Sequence, residues 1–125
     1  MTWYPQLGQQ LHLLNTPTFL ERLGLLTQEL DIKPEIEIFD AGMLGNVDYY
    51  LKKGVLKAPL HYQLVLDVPG GMPGNIDSIN HLVSKLPEGS TWSITGIGKA
   101  HMPCMLAVWP PAATTCASVW RTTCL

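Results

Sequence analysis

The chain has 125 residues, 46% of them apolar and 14% charged, with a formal net charge of −2. That is the composition of one globular domain, or of part of a larger one, and it excludes a disordered tail. No basic stripe accompanies the charge, so a nucleic-acid footprint is absent, and no apolar run approaches the roughly 20 residues that a membrane helix needs. The N-terminus lacks a basic segment followed by an apolar one, so a cytoplasmic setting is expected. Cys104, Cys116 and Cys124 are odd in number and show no CxxC spacing, which argues against a disulfide framework or a zinc knuckle.

Residues Met1 to Gln10 show no periodicity. From Thr16 to Leu30 the pattern is helical: Thr16 can cap the start, Pro17 suits the first position, and Phe19, Leu20, Leu23, Leu26 and Leu30 share one face. Lys33-Pro34 breaks that helix and opens a strand through Asp40. A second helix is expected from Met43 to Lys53, with Leu44, Val47 and Leu51 inward and Gly54 as its stop. The next strand runs from His61 to Val68, nearly all apolar, as a strand covered on both faces would be. After the loop containing Pro69, Gly70, Gly71, Pro73 and Gly74, Asn75 or Asp77 opens a third helix. Ile76, Ile79, Leu82, Val83 and Leu86 form its buried stripe. The third strand is Thr91 to Gly98, and a fourth helix begins near His101, with Met102 and Met105 as core residues. Strands spaced in this way, each followed by a helix, predict an α/β fold with parallel crossovers.

Three parallel strands do not make a comfortable domain by themselves, since a doubly wound sheet wants about five and a barrel eight. The first strand carries two carboxylates. Glu35, Glu37 and Phe39 share one face while Ile36 and Ile38 point the other way. The branched face should pack on helices, leaving the Glu face to look into a sheet or barrel interior, where a carboxylate must be compensated. Glu37 therefore reads as a substrate or metal-water contact, a general acid or base, or one half of a structural ion pair. Asp40 ends the strand and can equally cap the next helix. VPGGMPG, with Gly70 and Gly71, either offers bare amides to an anion or simply makes a tight turn. GIGKAH puts Lys99 and His101 past the end of a strand, where they can meet an anionic substrate or remain solvated. His12, His61 and His81 are scattered, without HxH or HExxH, and assemble no metal site.

Taken together, PEIEIFDAGML, LVLDVPGGMPG and WSITGIGKAHMP closely resemble the β-keto acid cleavage enzymes, of the 3-keto-5-aminohexanoate cleavage type known from lysine fermentation. The resemblance runs from about Leu14 to Ala107. It implies part of a (β/α)8 TIM barrel, about three βα units equivalent to strands five to seven, within residues 14–107. It further implies an acetyl-CoA-dependent acyltransferase, with family members expected to be homo-oligomeric. In such enzymes zinc polarises the keto group and a carboxylate base starts a condensation that ends in retro-Claisen cleavage. The second Glu of the fifth-strand motif lines the active site and matches Glu37. Gly70, Gly71, Lys99 and His101 are the expected substrate-binding residues.

The remainder of the family's site has no match. Its zinc is held by an HxH pair on an early strand and a Glu on the eighth; this sequence contains no HxH. No bound cofactor is therefore expected in this chain. The eighth strand of the family reads close to LRVGLEDN, where this chain has CASVWRTT. If those residues are encoded TGC GCG TCG GTC TGG AGG ACA ACG after a C, reading one base earlier gives CTG CGC GTC GGT CTG GAG GAC AAC, which is L-R-V-G-L-E-D-N. The same shift through PPAATT permits A-A-G-G-D-D. A frameshift near Val108 is thus expected, making residues 108–125 a tail without function. Arg121 and Thr122 then stand where the metal Glu and the base would be, and neither replaces them. Residues 1–13 are expected to be irregular, and MTWYP can hide D-L-V-S in another frame. The chain reads as a piece of a zinc-dependent enzyme, inactive alone and prone to aggregate through its open strand edges. The alternatives are a small non-catalytic α/β binding module for an acidic ligand, and an enzyme rebuilt from associating pieces.

Overall fold

A computed structural model of the chain describes residues 16–108. The irregular start expected over residues 1–13, and the tail beyond Val108 with Cys116, Arg121, Thr122 and Cys124, lie outside the described residues. The elements follow in the order α1 (Pro17–Glu29), β1 (Glu35–Ile38), α2 (Gly42–Lys52), β2 (His61–Leu66), α3 (Ile76–Val83), β3 (Thr91–Gly96), a 3-10 turn (Gly98–Ala100) and α4 (His101–Ala107). The three strands form one parallel sheet in the order β1-β2-β3. This is the α/β unit that the strand and helix spacing predicts.

Local chemistry accounts for the ends of these elements. The Thr16 hydroxyl accepts from the Phe19 amide at 3.2 Å, and Pro17 follows it, a position that needs no N–H donor. Helix α1 ends with Asp31 at φ 52°; its amide reaches the Gln28 carbonyl and the Ile32 amide reaches that of Thr27. Helix α2 repeats this closure with Gly54 at φ 76°, as the sequence predicts, and with the Val55 amide on the Tyr50 carbonyl. The Asn75 side chain caps α3 by accepting from the Ser78 amide at 2.9 Å. Asp40 neither ends the strand, which stops at Ile38, nor is the cap of α2, which is Ala41 without a side-chain bond; its Oδ1 accepts from the Gly42 amide at 2.8 Å in the turn between them.

The core lies between the sheet and the helices that follow each strand. Ile38 of β1, Tyr62, Leu64 and Leu66 of β2 and Ile94 of β3 are all buried on one sheet face. Against them pack Val47 of α2, Ile79 and Leu82 of α3, and Ala100 and Cys104 beside the end of β3. Each large side chain buried in this way contributes about 1.5–3 kcal/mol. The packing is closest near the ends of β2 and β3. A Cβ at Gly96 would collide with the Ala100 carbonyl oxygen, and one at Gly74 with the Ala100 side chain. Both positions need glycine for the close approach of backbone, not for its torsional freedom.

Three expectations of burial are corrected. Helix α1 buries only Gly24, while Phe19, Leu23, Leu26 and Leu30 are exposed, and its contacts run through Gly24, Gln28 and Glu21 instead of through that stripe. The Gly24 backbone abuts Val55, and Gln28 Nε2 donates to the Gly54 and Val55 carbonyls at 3.0 and 2.7 Å. Ile76, the first residue of α3, and Met102, in the first turn of α4, are exposed, on the side of each helix away from its buried residues. The second strand is buried on both faces from Tyr62 to Leu66, as expected of a covered strand, although His61 and Gln63 make one of those faces polar.

The glycine contacts give a paired prediction. Gly96→Ala is expected to lower stability by about 1–3 kcal/mol in urea titrations, the usual result of overpacking. Gly45, in the interior of α2 with nothing within 4 Å of a built Cβ, should instead gain about 0.5–1 kcal/mol on replacement by Ala.

Candidate functional site

Strand pairing sorts side chains into two faces, because successive residues point to opposite sides. The register aligns Glu35 with His61 and Thr91, and Glu37 with Gln63 and Ser93. Two residues further along, Val65 pairs with Thr95. Every position named here lies on the face opposite the apolar core, so the sheet is oily towards its helices and polar on its other side.

The polar face is internally bonded. His61 Nδ1 lies 2.8 Å from Thr91 Oγ1, and His61 Nε2 lies 3.1 Å from Ser93 Oγ. The Ser93 hydroxyl donates to Gln63 Oε1, and Gln63 Nε2 donates to Thr95 Oγ1. Gln63, Ser93 and Thr95 are only 5%, 2% and 6% exposed. Buried polar groups require partners, and among the described residues no buried side-chain nitrogen or oxygen lacks one. Sequence reading missed this cluster. The signal was present as alternation, H-x-Q in β2 and T-x-S-x-T in β3, but it was obscured by the apolar residues between.

Glu37 sits on this face, as its spacing predicts, yet it is exposed and not enclosed. Strand β1 is an edge of the described sheet, so no further strand there shields the carboxylate from water. No basic side chain pairs with Glu37 among the described residues; the ion pair found there, Lys53 with Glu21 at 2.6 Å, links the residue capping the end of α2 to α1 on the surface.

The other predicted residues gather where the strands end. Val68 to Gly71 form a turn closed by the Gly71 amide on the Val68 carbonyl at 3.0 Å, with Pro69 and then Gly70 at φ 84° in its centre. That is the torsion a type II turn demands of its third residue. A Cβ at Gly71 would press on the Phe39 carbonyl, which accepts from the Met72 amide at 2.9 Å. The amides of Gly71 and Met72 are therefore occupied within the protein, and the turn accounts for both glycines. Lys99 is exposed on the 3-10 turn and His101 is half-buried at the start of α4. Asp67, which sequence reading did not single out, ends β2 at φ 65°. A non-glycine residue at positive φ is uncommon, although Asp tolerates it better than most, and such residues cluster at functional sites.

Two groups near the core hold their protons more tightly than usual. Burial, helped by the Asp67 charge, raises the pKa of the Cys104 thiol. Burial, helped by the Asp48 charge, raises that of the Tyr62 phenol. Among the described residues no three His, Cys, Asp or Glu side chains converge to hold a metal ion, so those residues do not fit the zinc that the resemblance implies. Two clefts of about 300 and 340 Å³ open at the opposite end of the sheet, near Ala58 and Pro59. Parallel α/β sheets place their chemistry at the C-terminal ends of the strands, so these clefts do not mark the site. No helix among the described residues is long and apolar enough to cross a membrane.

Comparison with known proteins adds to this geometry. A family model described as beta-keto acid cleavage enzyme matches residues 3–109. The 3-keto-5-aminohexanoate cleavage enzyme of Fusobacterium nucleatum subsp. nucleatum is 35% identical over 86 residues, covering 69% of this chain and 31% of that protein. The 3-dehydrocarnitine:acetyl-CoA trimethylamine transferase of Rhizobium meliloti is 31% identical over 70% of this chain and 29% of its own length. The 3-oxoadipate:acetyl-CoA acetyltransferase of Cupriavidus necator is 30% identical, covering 70% of this chain and 32% of that protein. The chain spans about a third of the length of the curated relatives it matches.

The raised pKa values fix the sign of an alkaline effect. A thiol ordinarily titrating at 9.0 and a phenol at 10.0 lose their protons later in the folded chain, so the unfolded chain ionises first. The stability linked to these groups is intact below pH 9 and falls as pH rises past each ordinary value towards the raised one. Urea midpoints should therefore drop as pH rises above 9, and Tyr62→Phe should flatten the part of the drop above pH 10.

Proposed function

The chain belongs to the β-keto acid cleavage enzyme family, and from that premise we propose that it is part of an acetyl-CoA-dependent acyltransferase. The reaction exchanges acyl groups. A β-keto acid, R–CO–CH2–COOH, and acetyl-CoA give acetoacetate and the thioester R–CO–S–CoA, with one C–C bond formed and one broken. The three βα units are strands five to seven of a (β/α)8 barrel, with their polar face turned to its interior. The observation that carries this reading is the two-faced sheet: a buried apolar side against helices and, on the other side, a hydrogen-bonded polar cluster beside Glu37, which pairs with no basic side chain among the described residues. A core-only sheet would have no reason to bury Gln63, Ser93 and Thr95 away from its helices.

In this reading Glu37 contacts the β-keto acid from the barrel wall, while Lys99 and His101 meet its anionic groups from the loops beyond β3. Gly70 and Gly71 shape the turn that borders it. Zinc would polarise the keto group in the complete enzyme, but its ligands are not among the described residues, and no step is routed through it. The chain by itself does not turn over. The frame change in the tail rests on the codon argument for CASVWRTT.

Two measurements test the proposal. The purified chain, supplied with acetyl-CoA, 3-keto-5-aminohexanoate and zinc, is expected to release no acetoacetate; turnover with stoichiometric bound zinc would show that it is a complete enzyme. The encoding DNA, with about one kilobase on either side, should carry L-R-V-G-L-E-D-N one base out of frame beneath the tail, together with the missing strands. In the enzyme with that frame restored, Glu37→Gln should reduce kcat/KM by about 10²-fold, the scale of one group acting on the reacting substrate.

A further inference from the structure

With the Gln63 amide oxygen turned towards Ser93, the polar cluster on β2 and β3 takes a direction, and that direction leaves one donor free. A hydroxyl owns a single proton and an amide oxygen owns none, so each contact constrains the next. Ser93 gives its proton to Gln63 Oε1. Its oxygen must therefore accept from His61, which makes His61 Nε2 the protonated nitrogen. In a neutral imidazole Nδ1 is then an acceptor, and it takes the Thr91 proton. At the other end Gln63 Nε2 donates to Thr95 Oγ1, and the Thr95 proton finds no acceptor among the described residues.

We propose that Thr91, His61, Ser93, Gln63 and Thr95 form a one-way chain of hydrogen bonds that holds the Thr95 hydroxyl as a donor to a substrate oxygen. The inference rests on the functional reading above, in which this face meets the β-keto acid. Thr95 lies one pleat beyond the Glu37 row towards the C-terminal ends of the strands. It is the last member of the chain and almost fully buried. A donor held by Gln63 in a dry setting suits an anionic or carbonyl oxygen, because its partner bond is already made and it loses little freedom on binding. Thr95 is thus a specificity residue for the oxo-acid end of the substrate. Gln63, Ser93 and His61 are positioning residues that act through it.

The tautomer of His61 reports the direction. Were the Gln63 amide turned over, every bond would reverse and His61 would carry its proton on Nδ1. Long-range proton–nitrogen spectra of the full chain at neutral pH should show Nε2 protonated and Nδ1 as acceptor. Gln63→Leu, which frees the Ser93 proton for His61, should shift the ring towards the Nδ1-protonated form. Thr95→Val should leave the tautomer unchanged but weaken binding of acetoacetate, the simplest β-keto acid, by about tenfold, as expected for one hydrogen bond to a charged oxygen. An Nδ1-protonated His61 in the unaltered chain overturns the proposal. So does acetoacetate that shifts Glu37 signals yet binds Thr95→Val with unchanged affinity, which leaves the functional reading standing. Acetoacetate that moves no signal on the polar face, Glu37 included, overturns both.

Discussion

The pairing of β2 between β1 and β3 in one unbroken parallel register is the constraint on which the remainder depends. It aligns Ile38 with Leu64 and Ile94 on one side of the sheet, and Glu37 with Gln63 and Ser93 on the other. A slip of one residue would carry every one of these side chains to the wrong face. Core and polar cluster are thus two consequences of a single set of backbone hydrogen bonds. The register is held by the cost of error, since a displaced β2 would set Gln63 among the apolar core side chains and Leu64 among the polar ones.

The C-terminal ends of the strands are tied together in a different way, by backbone approaching backbone. The Met72 amide bonds the Phe39 carbonyl, the Asp67 amide bonds the Met72 carbonyl, and the Ile97 amide extends β3 onto the Leu66 carbonyl. Gly74 and Gly96 let Ala100 press against both connections. This knits three loops that are distant in sequence into one rim, and it places Lys99 and His101 on that rim. Rigid strands with exposed connections at this end are the usual arrangement for substrate sites in parallel α/β folds. Membership in the β-keto acid cleavage enzyme family agrees with it.

Much of the fold was legible because it is governed by local chemistry. Thr16-Pro17, Gly54 and Asn75 act within a few residues of themselves, and their roles follow from side-chain type and position. The turn at Pro69 and Gly70 is of the same kind. The site was legible only in part. Glu37 could be assigned to the polar face from the alternation of EIEI, but its exposure depends on which strands stand beside it. The hydrogen-bonded cluster spans two strands about 30 residues apart. No pattern within one strand states which hydroxyl meets which amide. Likewise the apolar stripe of α1 is visible in the sequence, while its exposure is not, because burial is a property of neighbours.

By itself the sequence determined the order of the elements, most of their caps, the two-faced character of β1 and the family to which the chain belongs. These depend on torsional preference, on period-two alternation and on short motifs, all of which act over a few residues. Only the tertiary structure decided that His61, Gln63, Ser93 and Thr95 share one bonded face, that Asp67 closes β2 at positive φ, and that Glu37 stands exposed at an edge. Those outcomes come from register and proximity between separate strands, where a hydrogen bond or a buried contact exists only after distant segments have met.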